Sequence, residues 1–150
     1  MNIRFAHVNL ISRSWRSLAD FYIAVFDCVE YGPVRDLQGE WVDRLSGLEH
    51  AHITGVHLAL AGFDPPDGPT LEIFSYDEYH QVSEKPINGE GYGHIAFAVD
   101  DVPLCIARLL DHGGSLVGEH VHAHVAGAGD ISVVYARDPE GNIIEIQRWG

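Results

Sequence analysis

The chain of 150 residues is the size of one ordinary domain, and 46% hydrophobic content suffices for a core without disulfide staples. Nine Lys plus Arg against 22 Asp plus Glu leave a formal net charge of −13, which repels phosphate backbones and anionic lipid and argues against nucleic-acid and membrane partners. Acidity alone favours cations only mildly, because a metal site needs particular donors held at one point.

Residues 3–11 (IRFAHVNLI) alternate as a strand, and residues 14–28 shift to a helical period with Trp15, Leu18, Tyr22 and Val25 near one stripe. Ser14 is placed to cap that helix. After a Gly- and Pro-punctuated stretch, short strands are predicted at 40–45, 52–61 and 70–76, the last two joined by the turn FDPPDGP. The second half repeats the order. It has a strand at 93–99, a helix from 102 to about 112 opened by Asp100 or Asp101 and stopped by Gly113 and Gly114, and strands at 115–119, 131–138 and 142–149. Pro139-Glu140-Gly141-Asn142 makes the final turn. Sliding the first half by 87 residues places His7 on His94 and Ser14 on Asp101, and Glu72 and Glu145 each fall on the last strand of their half. The expected fold is α+β, one domain of two tandem βαβββ modules, about 1–85 and 93–150, with a linker at about 86–92.

Side chains alternate across a strand, so parity assigns faces. Phe5, His7, Asn9 and Ile11 oppose Ala6, Val8 and Leu10; His94 opposes Ile95, Phe97 and Val99. Glu72, Phe74 and Tyr76 oppose Leu71 and Ile73, while Glu145 opposes Ile144 and Ile146. Each of these His and Glu residues thus lies opposite a row suited to pack on a helix. A sheet covered by helices on one face and curved over the other would direct His7, Glu72, His94 and Glu145 into one concavity. Two buried carboxylates are costly unless neutralised, and a divalent cation does this directly. Two imidazoles and two carboxylates suit Zn, Ni, Co, Fe or Mn.

Other residues are secondary candidates. His57 shares a face with Gly55 and Ala59 and would point beside Glu72, either as a substrate contact or as a hydrogen-bonded structural residue. Phe74 and Tyr76 are candidate pocket walls, with aromatic core the alternative. Asn88, Arg13 and Trp41 are candidate rim contacts. The tract HVHAH carries His120, His122 and His124 on one side of an expected mobile loop near the rim, where adventitious metal binding competes with a lid or substrate role. Cys28 and Cys105 form no metal-ligand spacing and read as buried free thiols. The absence of a basic leader with an apolar stretch in MNIRFAHVNL, together with free thiols, predicts a cytoplasmic protein.

HVNL from His7, the helix with Phe21 and Tyr22, LEIF from Leu71, GHIAFAVDDV from Gly93 and DPEGNIIE from Asp138 to Glu145 span nearly the whole chain. In order and spacing they resemble the vicinal oxygen chelate superfamily, which includes glyoxalase I, methylmalonyl-CoA epimerase, extradiol dioxygenases and bleomycin-resistance proteins. The resemblance implies paired βαβββ modules in a cupped mixed sheet with helices on the convex face, usually completed by dimerisation. It places the ligands of one divalent ion at His7, Glu72, His94 and Glu145, a pattern similar to that of glyoxalase I. The implied chemistry is that of a lyase or isomerase, with proton transfer next to a carbonyl through a metal-chelated enediolate and Glu145, or else Glu72, as the base. An extradiol-type dioxygenase and a non-catalytic small-molecule or antibiotic-binding protein are the alternatives. A small-molecule substrate and a homodimer are expected.

Overall fold

The computed structural model describes residues 1–150 as two units, Met1–Gln81 and Val82–Gly150. In the first, β1 (His7–Ile11), α1 (Trp15–Phe26), β2 (Val29–Gln38), α2 (Glu40–Ser46), β3 (His52–Ala59) and β4 (Thr70–Tyr76) build a sheet ordered β1-β4-β3-β2. β1 is parallel to β4, with α1 in the connection, and β3 is antiparallel to both its neighbours. In the second, β5 (Ile95–Ala98), α3 (Val102–Asp111), β6 (Ser115–Leu116), β7 (Val121–Val125), β8 (Gly129–Arg137) and β9 (Ile143–Trp149) follow the same plan. β5 is parallel to β9, β9 is antiparallel to β8, and β6 and β7 both pair along β8. These two mixed sheets with three helices are the α+β fold expected from the sequence. No helix is long and apolar enough to cross a membrane.

Alternation divides each sheet into two chemically distinct faces. Val56, Leu58, Leu71 and Ile73 are at most 1% exposed and share the face on which α1 packs through Leu18, Phe21, Tyr22 and Val25. Each such side chain, once buried, contributes on the order of 1.5–3 kcal/mol. In the second unit Val134, Ile144 and Ile146 meet α3, which buries Val102, Cys105 and Leu109. α3 begins as its sequence requires: the Asp101 carboxylate accepts from Leu104 N at 2.9 Å. Ser14 is the N-cap residue of α1, but its side chain makes no cap hydrogen bond. Cys28 and Cys105 are buried and form no disulfide, and burial pushes the Cys28 thiol up to about 11.

Four expectations are corrected. Residues 40–45 form α2 rather than a strand: Gly47 closes it in the left-handed conformation, and the Asp43 carboxylate reaches forward to His50 N and Ala51 N. Val42 of α2 joins Ala51, Ile53 and Phe74 in a small core on the face away from α1, with Leu37 and Tyr76 against it. The Gly- and Pro-punctuated stretch forms β2, where Gly32, at φ +76°, and Pro33 sit in a register break between Tyr31 and Arg35. β1 starts at His7 rather than residue 3, leaving Ile3 and Phe5 exposed. The HVHAH tract is not a loop, because residues 121–125 form β7, whose backbone is paired with β8.

Two consequences are measurable. A Cβ added at Gly55 would stand 2.2 Å from Ile73 O and 2.4 Å from Phe74 Cδ1. Gly55→Ala is therefore expected to lower stability in urea unfolding by about 1–3 kcal/mol. His52 bridges Asp77 (Nδ1, 2.8 Å) and Asp36 (Nε2, 2.9 Å), and these hydrogen bonds, Asp77 first, raise its pKa above 6.5. With the folded value above the unfolded one, the bridge stabilises fully below pH 6.5, and its contribution is lost as pH rises through the folded value. The urea midpoints of wild type and His52→Gln should differ most at low pH and converge above the folded pKa.

Candidate metal centre

In the first unit, the parallel register sets Asn9 opposite Glu72 and His7 opposite Thr70, and the antiparallel register sets His57 opposite Glu72 from the other side. His7, Asn9, His57 and Glu72 thus share the face that α1 does not cover. The Glu72 side chain is only 12% exposed, and both its oxygens are engaged. Asn9 Nδ2 donates to Oε2 at 2.8 Å, His57 Nε2 lies 2.9 Å from Oε1, and His7 Nε2 lies 3.6 Å from Oε2. The second ring nitrogen of His57 is 3.0 Å from Thr70 Oγ1, and the His7 and His57 rings meet edge to face at 5.7 Å. Single donor atoms of His7, His57 and Glu72 lie within 4.8 Å of one another. Burial lowers the His57 pKa below 6.5, outweighing the opposing pull of Glu72.

The second unit repeats the register with different side chains. Glu145 pairs with Ala96 on β5 and Tyr135 on β8, the places held by Asn9 and His57 around Glu72. His94 precedes Ala96 by two residues, as His7 precedes Asn9, and its Nε2 stands 3.2 Å from Glu145 Oε2. The Tyr135 ring lies 5.2 Å from that of His94, and Tyr135 stands directly opposite Glu145 on the same face of the sheet. Burial, then the Glu145 charge, raises the Tyr135 pKa above 10, so at neutral pH the phenol keeps its proton.

The structure thus sets His7 beside Glu72 and His94 beside Glu145, one pair in each unit, and adds His57 to the first. Imidazole nitrogen and carboxylate oxygen, partly shielded from water, fit Zn, Ni, Co, Fe or Mn. Phe74 is 9% exposed and sits in the small core under α2, with Tyr76 packed against it. Asn88 is exposed in a turn closed by Gly89 N to Pro86 O, and Arg13 and Trp41 are exposed. His122 and His124 pair with Ser132 and Asp130, putting them on the opposite face of the sheet from Glu145. His120 Nε2 is 2.7 Å from Ser132 Oγ, and His124 Nδ1 is 2.7 Å from Asp130 Oδ1. Asn9, Thr70 and Tyr135 were not singled out from the sequence. Parity put Asn9 on the His7 face, but the partner of each residue depends on strand register.

Residues 6–135 match the family described as the Glyoxalase/Bleomycin resistance protein/Dioxygenase superfamily. The chain is 30% identical over 89 residues to lactoylglutathione lyase of Salmonella typhimurium, a match spanning 59% of this chain and 62% of that enzyme, which is less than two thirds of its length. Its structure is similar to that of a glyoxalase family protein from Bacillus cereus, with a TM-score of 0.82 at 22% identity over 99% of this chain and 95% of that one. It is also similar to a genomically encoded fosfomycin resistance protein from Listeria monocytogenes, with a TM-score of 0.63 at 17% identity over 100% and 96% of the two chains. At these identities the structural likenesses establish the fold.

In the metal-free chain, the His57 ring protons should titrate below pH 6.5 by NMR. Because the folded value lies below the unfolded one, His57 makes stability rise with pH across that interval, and His57→Gln should flatten the rise.

Proposed function

The chain belongs to the Glyoxalase/Bleomycin resistance protein/Dioxygenase superfamily, and on that premise we propose that it is a divalent-metal-dependent lyase or isomerase that transfers a proton next to a carbonyl. The observation that carries this reading is the repeated His–Glu pair, His7 with Glu72 and His94 with Glu145, at equivalent register in the two sheets. His7, Glu72, His94 and Glu145 would hold one ion. When bound, such an ion acts as a Lewis acid on a carbonyl oxygen, easing removal of a proton from the neighbouring carbon.

The proton itself is the work of the chain's own carboxylates. Glu145 is the base: beside His94, its neighbours across the sheet are Ala96 and Tyr135, neither of which binds the carboxylate as a cation would. Glu72 is held from two sides, by Asn9 and His57, and suits the fixed role. The substrate class is a small carbonyl compound or its thiol adduct, in keeping with the partial match to lactoylglutathione lyase. The working form is a homodimer in the cytoplasm.

A ring-cleaving dioxygenase is the second reading, favoured by the grouping of His7, His57 and Glu72, since two imidazoles with one carboxylate suit ferrous iron. Oxygen consumption by the iron-loaded protein with a catechol would support it over the first.

The two glutamates test the leading reading. Glu145→Gln should retain metal but lose about 100-fold or more in solvent deuterium exchange at the carbon next to the carbonyl, whereas Glu72→Gln should lose metal as well. Undiminished exchange in both variants would sink the assignment.

A further inference from the structure

We propose that His57 is itself a metal ligand, so that the first unit supplies three donors, His7 Nε2, His57 Nε2 and a Glu72 oxygen, to the ion; this rests on the metal-binding reading above. Neither strand parity nor the family pattern assigns this role to a residue of β3.

Distance is the first ground. Two donors about 2.1 Å from one ion are separated by at most about 4.2 Å, and the donor atoms of His7, His57 and Glu72 already lie within 4.8 Å of one another. Side-chain adjustment on the order of 1 Å would bring all three to an ion. The second ground is how His57 is held. Its Nδ1 is 3.0 Å from Thr70 Oγ1, the kind of hydrogen bond that fixes the ring of a metal-bound imidazole and leaves the other nitrogen for the ion. That other nitrogen stands 2.9 Å from Glu72 Oε1. A proton on Nε2 satisfies this contact alone. A divalent ion satisfies it together with His7, whose Nε2 remains 3.6 Å from the same carboxylate.

The internal repeat provides a control. The equivalent position of the second unit holds Tyr135, directly opposite Glu145. A phenol that keeps its proton binds a divalent ion poorly, whereas an imidazole at the same register offers a lone pair. The third donor therefore belongs to one unit and not to the repeat as such.

The test uses the full chain with His120, His122 and His124 replaced by Asn to silence the histidine strand on the other face. Co(II) is titrated calorimetrically, and imidazole ligands are counted by pulsed EPR on the Cu(II) form. His57→Gln, which can still donate to Glu72, should remove one imidazole from the count and weaken Co(II) binding at least tenfold. Thr70→Val, which keeps a β-branched strand residue, should leave the count unchanged and weaken binding by about tenfold. An unchanged imidazole count in His57→Gln, or unchanged affinity in Thr70→Val, would overturn His57 as a ligand while leaving the proposed function standing. If the starting protein binds no ion, both fall. Should His57→Gln fail to fold, the Thr70→Val affinity decides.

Discussion

The pairing of a parallel outer strand and an antiparallel inner strand around one central glutamate is the constraint on which the rest depends. Glu72 on β4 has Asn9 of β1 on one side and His57 of β3 on the other; Glu145 on β9 has Ala96 and Tyr135. Because side chains on directly opposed residues lie on the same face of a sheet, each glutamate meets its neighbours without any loop having to deliver them. The helix-covered face is then free to be wholly apolar, as Leu71, Ile73, Ile144 and Ile146 are. Core and site are separated by the thickness of one backbone.

This arrangement also accounts for how the carboxylates tolerate partial burial. Glu72 is withdrawn from water, which costs free energy unless each oxygen finds a partner, and the amide of Asn9 and the ring of His57 supply these. Glu145 is supported more sparsely, by His94, with Tyr135 opposite it on β8. The halves thus keep the His and Glu positions and differ in the residues around them, the difference on which the roles proposed for the two glutamates rest.

Much of this was legible in the sequence because it depends on periodicity. The strand at 70–76, the helix opened by Asp101 and the faces of His7, Glu72, His94 and Glu145 follow from side-chain alternation and capping chemistry. What was not legible depends on contacts distant in sequence. Residues 40–45 are too short to show a full period, with Trp41, Val42 and Leu45 at spacings of one and three, and the reach of Asp43 to His50 N and Ala51 N, with the docking of Val42 on Ile53 and Phe74, holds them as a helix. HVHAH reads as a polar loop because β7 is exposed along its length; pairing with β8, not burial, makes it a strand. His57 stood out as a candidate beside Glu72, but the direct contact is set by register, which no single strand encodes.

The turn between β8 and β9 carries this dependence on register furthest. The buried Asp138 carboxylate accepts from Glu140 N at 2.9 Å, Asn142 N at 3.0 Å and Asn142 Nδ2 at 2.7 Å, and Asp138 N donates back to Asn142 O. One residue more or fewer there would break this clamp and exchange Glu145 with Ile144 or Ile146 between faces. The corresponding connection in the first unit, residues 60–69, is mostly exposed and is not drawn together by one buried carboxylate. Length variation among descendants of this chain should therefore accumulate in the first connection, while the second changes only by substitution, so that the two units are open to different kinds of evolutionary change.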